Sequence, residues 1–232
     1  MRHFLCCVFL LAVSAASADE AAVRATVAEL FPNAEAPSIV AAPIPGVFEV
    51  AMGTQVFYVS DDGRYFLGGP LVRSASGENL TEVRVAAGRV DVLREDSRVR
   101  PFSWRAEKTR HQITVVTDID CPYCRRLHKD IPNLNAAGID VNYVMLPRSG
   151  KNTPSYHKTV GAACASDPEK AITEAMNGAS FDMATCDHPI DTHMTTAREL
   201  GVSSTPSIVL ADGRIVLGQK SPEALLKLIE QP

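Results

Sequence analysis

The segment TDIDCPYCRRLH, residues 117–128, contains two cysteines, Cys121 and Cys124, with two residues between them. A C-x-x-C pair at the start of a helix can exchange thiols and disulfides, because unpaired N–H groups and the helix dipole stabilise a thiolate on the first sulfur. Such a position can lower the pKa of a cysteine to roughly 3.5–7.5. The pattern predicts that Cys121 is the attacking nucleophile and that Cys124 is the resolving thiol.

The residues around the pair modify this prediction. Pro122 suits a first helical turn, where its missing N–H is not needed, and Tyr123 is expected to supply contact surface. Asp118 and Asp120 should oppose a thiolate by like-charge repulsion, so the size of the Cys121 pKa shift stays open. His128 lies one turn beyond Cys124 and could relay protons, although a helix-face histidine more often packs or faces solvent.

Two other interpretations of the pair are weaker. A zinc site built from all four cysteines that follow residue 18 would favour a second C-x-x-C, whereas Cys164 and Cys186 are 22 positions apart. A structural bridge between Cys121 and Cys124 would close a very small loop and would constrain the unfolded chain little. Redox chemistry without a metal is therefore the favoured prediction.

The N-terminus, MRHFLCCVFLLAVSAASA, has the pattern of a secretory signal peptide over residues 1–18. Arg2 gives a basic start, residues 4–13 form an apolar run, and an A-x-A site ends at Ala18. The apolar run is shorter than the roughly 20 residues that span a bilayer. We therefore expect export and cleavage after Ala18, not a retained anchor.

Export places the remaining cysteines in a compartment that permits disulfides. Two of the six cysteines leave with the signal peptide, and the other four allow three pairings. Cys164 and Cys186 do not form a C-x-x-C, and joining them would stabilise the fold by about 3 kcal/mol. We expect a structural disulfide there, with a second redox pair as the alternative. The net charge of −4 and the lack of a basic stripe argue against nucleic acid binding.

Residues 19–77 predict a small unit with one helix and a few strands. The helix at 19–31 places its apolar side chains on one face: Val23, Val27, Leu30 and Phe31. The strands are expected at Val47–Val50, Gln55–Val59 and Tyr65–Leu67, with a turn at Asp62-Gly63. So thin a core often needs a partner surface. A dimerisation or binding module is therefore expected, not an independent enzyme.

Residues 78–97 predict a connecting helix. Apolar residues recur there among many charges, at Leu80, Val83, Val85, Val90 and Leu93. Gly88 lowers the helix propensity, and a solvated linker is the alternative.

Residues 98–232 follow a regular order of elements. HQITVVTDI predicts a strand, PYCRRLHKDIPNL a helix and IDVNYVMLP a second strand, and residues 155–200 predict two or three helices. A hairpin around Asp212-Gly213 and a helix capped by Ser221-Pro222 complete the order. This is the thioredoxin-like order with an all-helical insertion, and that fold keeps its redox centre where the first strand meets its helix.

Thr205-Pro206 stands at the head of a predicted strand. In a thioredoxin-like fold, a cis-proline at this position faces the C-x-x-C and leaves the preceding backbone free to pair with a substrate peptide. Outside that fold, a trans proline at a strand start would be the simpler prediction.

The chain resembles the periplasmic disulfide isomerases of the DsbC/DsbG family. The resemblance rests on the signal peptide and on YVSDDGRYFLGGPL, TVVTDIDCPYCRRLH, AACASDPEKA, ATCDHPID and LGVSSTPSIVLADG. It implies an α+β protein in which a small cystatin-like dimerisation domain, residues 19–77, is joined by a linker helix, residues 78–97, to a thioredoxin-like domain, residues 98–232. It also implies a V-shaped periplasmic homodimer with an uncharged cleft for misfolded proteins.

By the same resemblance, Cys121 attacks wrong disulfides in secreted proteins and Cys124 is its partner thiol. Substrate would be contacted by two pairs of neighbouring residues, Pro122-Tyr123 and Thr205-Pro206. The resemblance also pairs Cys164 with Cys186, which points to the DsbC branch, whereas the Pro-Tyr dipeptide between the active cysteines is DsbG-like.

The resemblance implies no cofactor and a DsbD-type membrane reductase as electron donor. Three alternatives stay open: a DsbG-like reductase that protects single cysteines, a monomeric thiol oxidase or reductase, and a non-enzymatic periplasmic chaperone.

Overall fold

A computed structural model of the chain describes residues 15–33, 36–94 and 96–231. The chain divides into two compact units, Met1–Thr81 and Glu82–Pro232. Most of the predicted signal peptide, residues 1–14, lies outside the described residues. Within the described ranges, no helix is both long enough and apolar enough to cross a membrane.

The N-terminal unit packs one helix against a four-stranded antiparallel sheet with the strand order β1-β2-β3-β4. Its elements are α1 (Ala15–Leu30), β1 (Ser38–Ala41), β2 (Val47–Met52), β3 (Gln55–Ser60), β4 (Phe66–Leu67) and a small hairpin of β5 (Val72–Arg73) and β6 (Glu78–Asn79). The helix and the three predicted strands are present, and β1, β5 and β6 are additional.

The core of this unit is small. Val23 and Val27 of α1 pack with Val50, Phe57 and Val59 of the sheet, and all five side chains are buried. Leu30 was expected on the same helical face but is 53% exposed, because α1 ends at this residue.

The second unit is built on a five-stranded sheet with the order β11-β10-β8-β9-β7, in which only β8 and β9 are parallel. Its elements are α2 (Leu80–Arg94, which begins at the unit boundary), α3 (Asp96–Val99), β7 (Phe102–Trp104), β8 (His111–Thr117), α4 (Pro122–Lys129), α5 (Ile131–Ala136), β9 (Ile139–Met145), α6 (Pro154–Ala163), α7 (Pro168–Met176), α8 (Ile190–Glu199), β10 (Ser207–Leu210), β11 (Ile215–Leu217) and α9 (Pro222–Glu230).

This order is the predicted thioredoxin-like one, with the all-helical insertion α6–α8 between β9 and β10. The single predicted helix over residues 122–134 is instead two short helices that meet at Asp130.

The central strand β8 has a core on each face. Ile113 and Val115 belong to the larger cluster, which includes Cys124 and Leu127 of α4. Val116 points to the other face and packs in a second cluster. Side chains alternate between the two faces of a strand. The helix α4 therefore lies over the face that carries Ile113 and Val115, with which its side chains cluster.

The helix α2 packs closely against the rest of the second unit. Its buried residues are Ala86, Gly88 and Arg89, whereas Val83 of the predicted apolar face is 57% exposed. The Arg89 guanidinium donates to the carbonyls of Leu200 and Gly213, each at 3.1 Å.

Gly213 makes this approach possible. Its φ is +84°, and a Cβ there would lie 1.9 Å from the carbonyl oxygen of Ala86. Only glycine fits such a contact, so α2 is joined to the rest of the second unit by close backbone packing.

Candidate active site

The cysteine pair lies where β8 leads into α4. Cys121 is the N-cap residue with φ −80° and ψ 122°, and Pro122 follows in the first turn. The Cys121 N–H donates to the carbonyl of Asp118 at 3.1 Å, and the Cys121 carbonyl accepts the N–H of Arg125 at 3.0 Å. The first sulfur is therefore held at the helix N-terminus, as the spacing predicted.

Both thiols are unpaired and buried, with exposed fractions of 2% for Cys121 and 0% for Cys124. The peptide bond between Thr205 and Pro206 is cis. The Cys121 thiol lies 3.5 Å from the carbonyl oxygen of Thr205, to which it donates. The structure thus brings together the two cysteines and the Thr205-Pro206 loop.

The two sulfurs differ in acidity. Burial alone would raise the pKa of Cys121, but the backbone N–H of Cys124 and the nearby Thr205 hydroxyl hold it below its ordinary value. Burial raises the pKa of Cys124 to about 11. Near neutral pH, Cys121 is the better source of a thiolate and Cys124 stays a thiol.

Asp118 is buried, and hydrogen-bond donors surround its carboxylate. Its carboxylate accepts hydrogen bonds from the Arg148 Nε–H at 3.1 Å, the Asp120 N–H at 2.9 Å and the Ser155 hydroxyl at 3.3 Å. The bond to Asp118 is the main reason that the Arg148 pKa is raised, and the charges of both cysteines add to it.

Asp120 is also paired with cations. Its carboxylate accepts from Lys158 at 2.9 Å and from Arg125 at 3.0 Å. Partial burial works the other way, yet Lys158 keeps the pKa of Asp120 below its ordinary value. The repulsion predicted from Asp118 and Asp120 is therefore offset by cations that are mostly distant in sequence, and no local motif identifies them.

Two exposed residues lie at the start of α4. Pro122 is exposed, and Tyr123 is 58% exposed with the Arg126 guanidinium 4.3 Å from its ring centre. Both residues are accessible, as a substrate-contact role would require, and that role stays a prediction.

His128 is buried and fully hydrogen bonded. Nδ1 lies 3.1 Å from the Tyr143 hydroxyl, and Nε2 lies 3.1 Å from the Thr173 hydroxyl. Because Thr173 donates to the carbonyl of Glu169, it accepts from Nε2–H, which leaves Nδ1 to accept from Tyr143. Burial lowers the pKa of His128 to about 4. With both nitrogens engaged, the ring has no free position for a direct proton relay to Cys124.

The other two cysteines form a disulfide. Cys164 ends α6 and Cys186 lies in the segment before α8, with an S–S distance of 2.02 Å and Cα atoms 5.8 Å apart. Their bond ties the end of α6 to the segment that leads into α8. Elsewhere in the described residues, no group of three or more histidine, cysteine or acidic side chains is arranged to hold a metal ion.

The sequence matches two known families. Residues 14–82 match the family described as disulfide bond isomerase protein N-terminal domain. Residues 103–231 match the thioredoxin-like domain family.

Curated relatives span nearly the whole chain. The thiol:disulfide interchange protein DsbC of Salmonella typhimurium is 34% identical over 99% of this chain and 96% of its own length. The protein of the same name from Escherichia coli K12 is 33% identical over 93% of this chain and 89% of its own length.

Among solved structures, the thiol-disulfide exchange protein alpha-DsbA2 from Wolbachia pipientis aligns with a TM-score of 0.50 and 17% identity. The alignment covers 66% of this chain and 98% of that one, and it supports the fold alone.

Proposed function

The chain belongs to the DsbC family of thiol:disulfide interchange proteins, and from this premise we propose that it is a periplasmic protein disulfide isomerase. The observation that carries the proposal is the contrast between the two buried thiols. Cys121 caps a helix and has a lowered pKa, whereas burial raises the pKa of Cys124 to about 11. The Cys121 sulfur can therefore attack first as a thiolate, and the Cys124 sulfur acts later as the resolving thiol.

The reaction begins when the Cys121 thiolate attacks a wrong disulfide in a secreted protein. A bond forms between Cys121 and one substrate sulfur, and the other substrate sulfur leaves as a thiolate and takes up a proton. A different substrate thiolate then attacks the substrate sulfur of this mixed disulfide, which forms a new substrate disulfide and returns Cys121 as a thiolate. The step needs no net oxidant or reductant.

Substrate would be held next to Cys121 by the residues that surround it. The Thr205 carbonyl lies 3.5 Å from the Cys121 sulfur, and exposed backbone at such a loop can pair with an extended peptide. Tyr123, two residues after Cys121 at the start of α4, presents an exposed ring. Pro122, Tyr123, Thr205 and Pro206 are therefore the substrate-contact residues in this proposal, and the Cys164–Cys186 disulfide is structural.

The N-terminal unit is proposed to form a homodimer. Its outer strand β4 exposes Phe66 and Leu67, at 51% and 49%, and the adjacent Tyr65 is 62% exposed. An edge strand with exposed apolar side chains is a ready template for pairing with another chain. The small core of this unit also favours a partner surface.

We also propose three finer points, which are supported by family membership and by the N-terminal sequence pattern. The chain is exported, with its signal peptide cleaved after Ala18, and acts in the periplasm on misfolded proteins that contain disulfides. A DsbD-type membrane reductase returns Cys121 and Cys124 to the dithiol form. The dimer adds chaperone-like binding of exposed apolar chain.

The DsbG-like and non-enzymatic alternatives are not favoured. The Pro-Tyr dipeptide pointed towards DsbG, but the curated relatives that span most of the chain carry the name DsbC. A purely non-enzymatic chaperone would have no use for a helix-capping thiol with a lowered pKa.

The proposal is tested by the recovery of ribonuclease activity from scrambled ribonuclease A under mildly reducing conditions. The exported chain should restore activity, and Cys121→Ala should not. Leu67→Asp should abolish dimerisation, measured by sedimentation, and should reduce recovery strongly.

Val40→Asp is the matched control for the dimer edge, because Val40 is 49% exposed on β1 at the opposite edge of the same sheet. Full recovery with Cys121→Ala would point to a chaperone. Full recovery with a monomeric Leu67→Asp protein would point to a monomeric thiol catalyst.

A further inference from the structure

Two hydroxyl groups near the cysteine pair are buried without hydrogen-bond partners. Within the described residues, four buried polar side-chain atoms make no hydrogen bond of good geometry: Thr117 Oγ1, His188 Nδ1, Thr196 Oγ1 and Thr205 Oγ1. Thr205 belongs to the loop that faces Cys121. Thr117 is fully buried, with an exposed fraction of 0%. The proposed function described above gives it no role.

The strand register places Thr117 under the reactive helix. Ile113, Val115 and Thr117 alternate along β8, and the first two pack in the cluster that contains Cys124. Side chains two residues apart share a face, so Thr117 points to the side on which α4 lies. Its backbone is fixed, because its carbonyl accepts the N–H of Leu146 at 2.6 Å.

The Thr117 hydroxyl also affects the pKa of Cys124. Burial is the main influence and raises this pKa, and the Thr117 hydroxyl is the leading polar group that lowers it. A buried hydroxyl without a partner costs free energy. The cost of burying the Thr117 hydroxyl is offset if the Cys124 sulfur becomes a hydrogen-bond acceptor for it during the reaction.

We propose that Thr117 is a positioning residue for Cys124, and that its hydroxyl donates a hydrogen bond to the Cys124 sulfur when that sulfur becomes a thiolate. This inference rests on the proposed function and concerns its escape step, in which a substrate that cannot be rearranged is released reduced. The Thr117 hydroxyl would then set how long a mixed disulfide survives.

In the escape step, Cys124 loses its proton and its sulfur attacks the sulfur of Cys121. The Cys121–Cys124 bond forms while the bond from Cys121 to the substrate sulfur breaks. The substrate sulfur leaves as a thiolate and takes up a proton. The substrate disulfide is thereby reduced by two electrons, and the two protein thiols are oxidised to a disulfide.

Ellman's reagent separates the two steps in one stopped-flow experiment on the reduced, full-length exported protein. Attack by Cys121 releases a first thionitrobenzoate, and escape through Cys124 releases a second. Thr117→Val keeps the shape and removes the hydroxyl. We expect it to leave the first phase unchanged and to slow the second about tenfold, because hydrogen bonds to charged groups are the stronger ones.

Two further variants keep the test specific. Thr117→Ser retains a hydroxyl and should restore the second phase. Thr196→Val removes another buried hydroxyl without a partner, on α8, and should change neither phase.

The pH profile of the second phase gives a readout that lost packing would not change. Its midpoint should move upwards in Thr117→Val, while the other charged and titratable groups that influence or adjoin Cys124 stay in place: Cys121, Asp118, His128, Tyr143 and Arg148.

An unchanged second phase in Thr117→Val, or an equal slowing in Thr196→Val, would overturn this inference while leaving the proposed function intact. A wild-type protein with no first phase would overturn both.

Discussion

The two cysteine pairs of the second unit are placed in opposite ways. Cys121 and Cys124 are buried, unpaired and held at the N-terminus of a helix, whereas Cys164 ends a helix and is bonded to the exposed Cys186. The first pair has N–H groups and cations around it, and the second serves to tie two segments together. From this difference we expect that the surroundings of a sulfur, more than its burial, decide whether it reacts.

The strongest test of this contrast removes one pair at a time. We expect Cys121→Ala to lower the rate of disulfide isomerisation by at least about a hundredfold, because the nucleophile is lost. The Cys164→Ala/Cys186→Ala double variant should stay within about twofold of the wild-type rate, since it leaves α4 and its surroundings unchanged. Scrambled ribonuclease A measures both, and equal losses would remove the distinction between the pairs.

The order should reverse for stability. The double variant without the Cys164–Cys186 bond should lose about 3 kcal/mol of unfolding free energy, because the unfolded chain gains the freedom of an open loop. Cys121→Ala in the reduced protein removes no cross-link and should lose less. Urea unfolding measures both losses, and a larger loss for Cys121→Ala would contradict the structural role of the disulfide.

Acid should lower the unfolding free energy of the protein, because two of its histidines are buried. Burial lowers the pKa of His128, under the reactive helix, and of His193, in α8, to about 4 from an ordinary value of 6.5. Between these values the unfolded chain binds more protons than the folded one, so the unfolding free energy falls as the pH drops. Each histidine should cost about 2 kcal/mol at pH 5.

Urea unfolding at pH 7 and pH 5 measures this loss. His128→Gln and His193→Gln should each remove part of it. A pH dependence that survives both substitutions would show that other groups cause it.

The smallest effect concerns the cation beside the reactive pair. Arg148→Met removes the guanidinium next to Asp118, leaves that carboxylate charge uncompensated near the cysteine pair and should raise the Cys121 pKa. Thiolate ultraviolet absorbance measured against pH reports this shift. Arg105→Met is the matched control, because Arg105 also pairs with a buried carboxylate, that of Asp140, at 3.1 Å. An equal shift in both variants would contradict a local role for Arg148.

Local sequence signals predicted the parts of the site that depend on neighbours in the chain. The C-x-x-C spacing, Pro122 in the first turn and the order of strands and helices identified Cys121, its helix and the fold. The cations could not be found this way, since Arg148 and Lys158 reach Asp118 and Asp120 only through the folded chain. The strand β7 was missed because its three residues gain strand structure by pairing with β9.

The connecting helix shows a second limit of sequence patterns. Its valines suggested one buried face, but the structure buries Ala86, Gly88 and Arg89. Small residues allow close approach of backbones, and the Arg89 guanidinium finds carbonyl partners that the sequence pattern does not reveal.

The contact between Gly213 and α2 determines where this protein can be cut or fused. A junction at residue 98 would discard the helix and leave the carbonyls of Leu200 and Gly213 without the Arg89 guanidinium. A junction just before Glu82 removes only Leu80 and Thr81 from the helix and keeps the rest with the unit that it packs against. A chimaera that exchanges N-terminal modules among relatives should therefore take α2 from the same protein as the second unit.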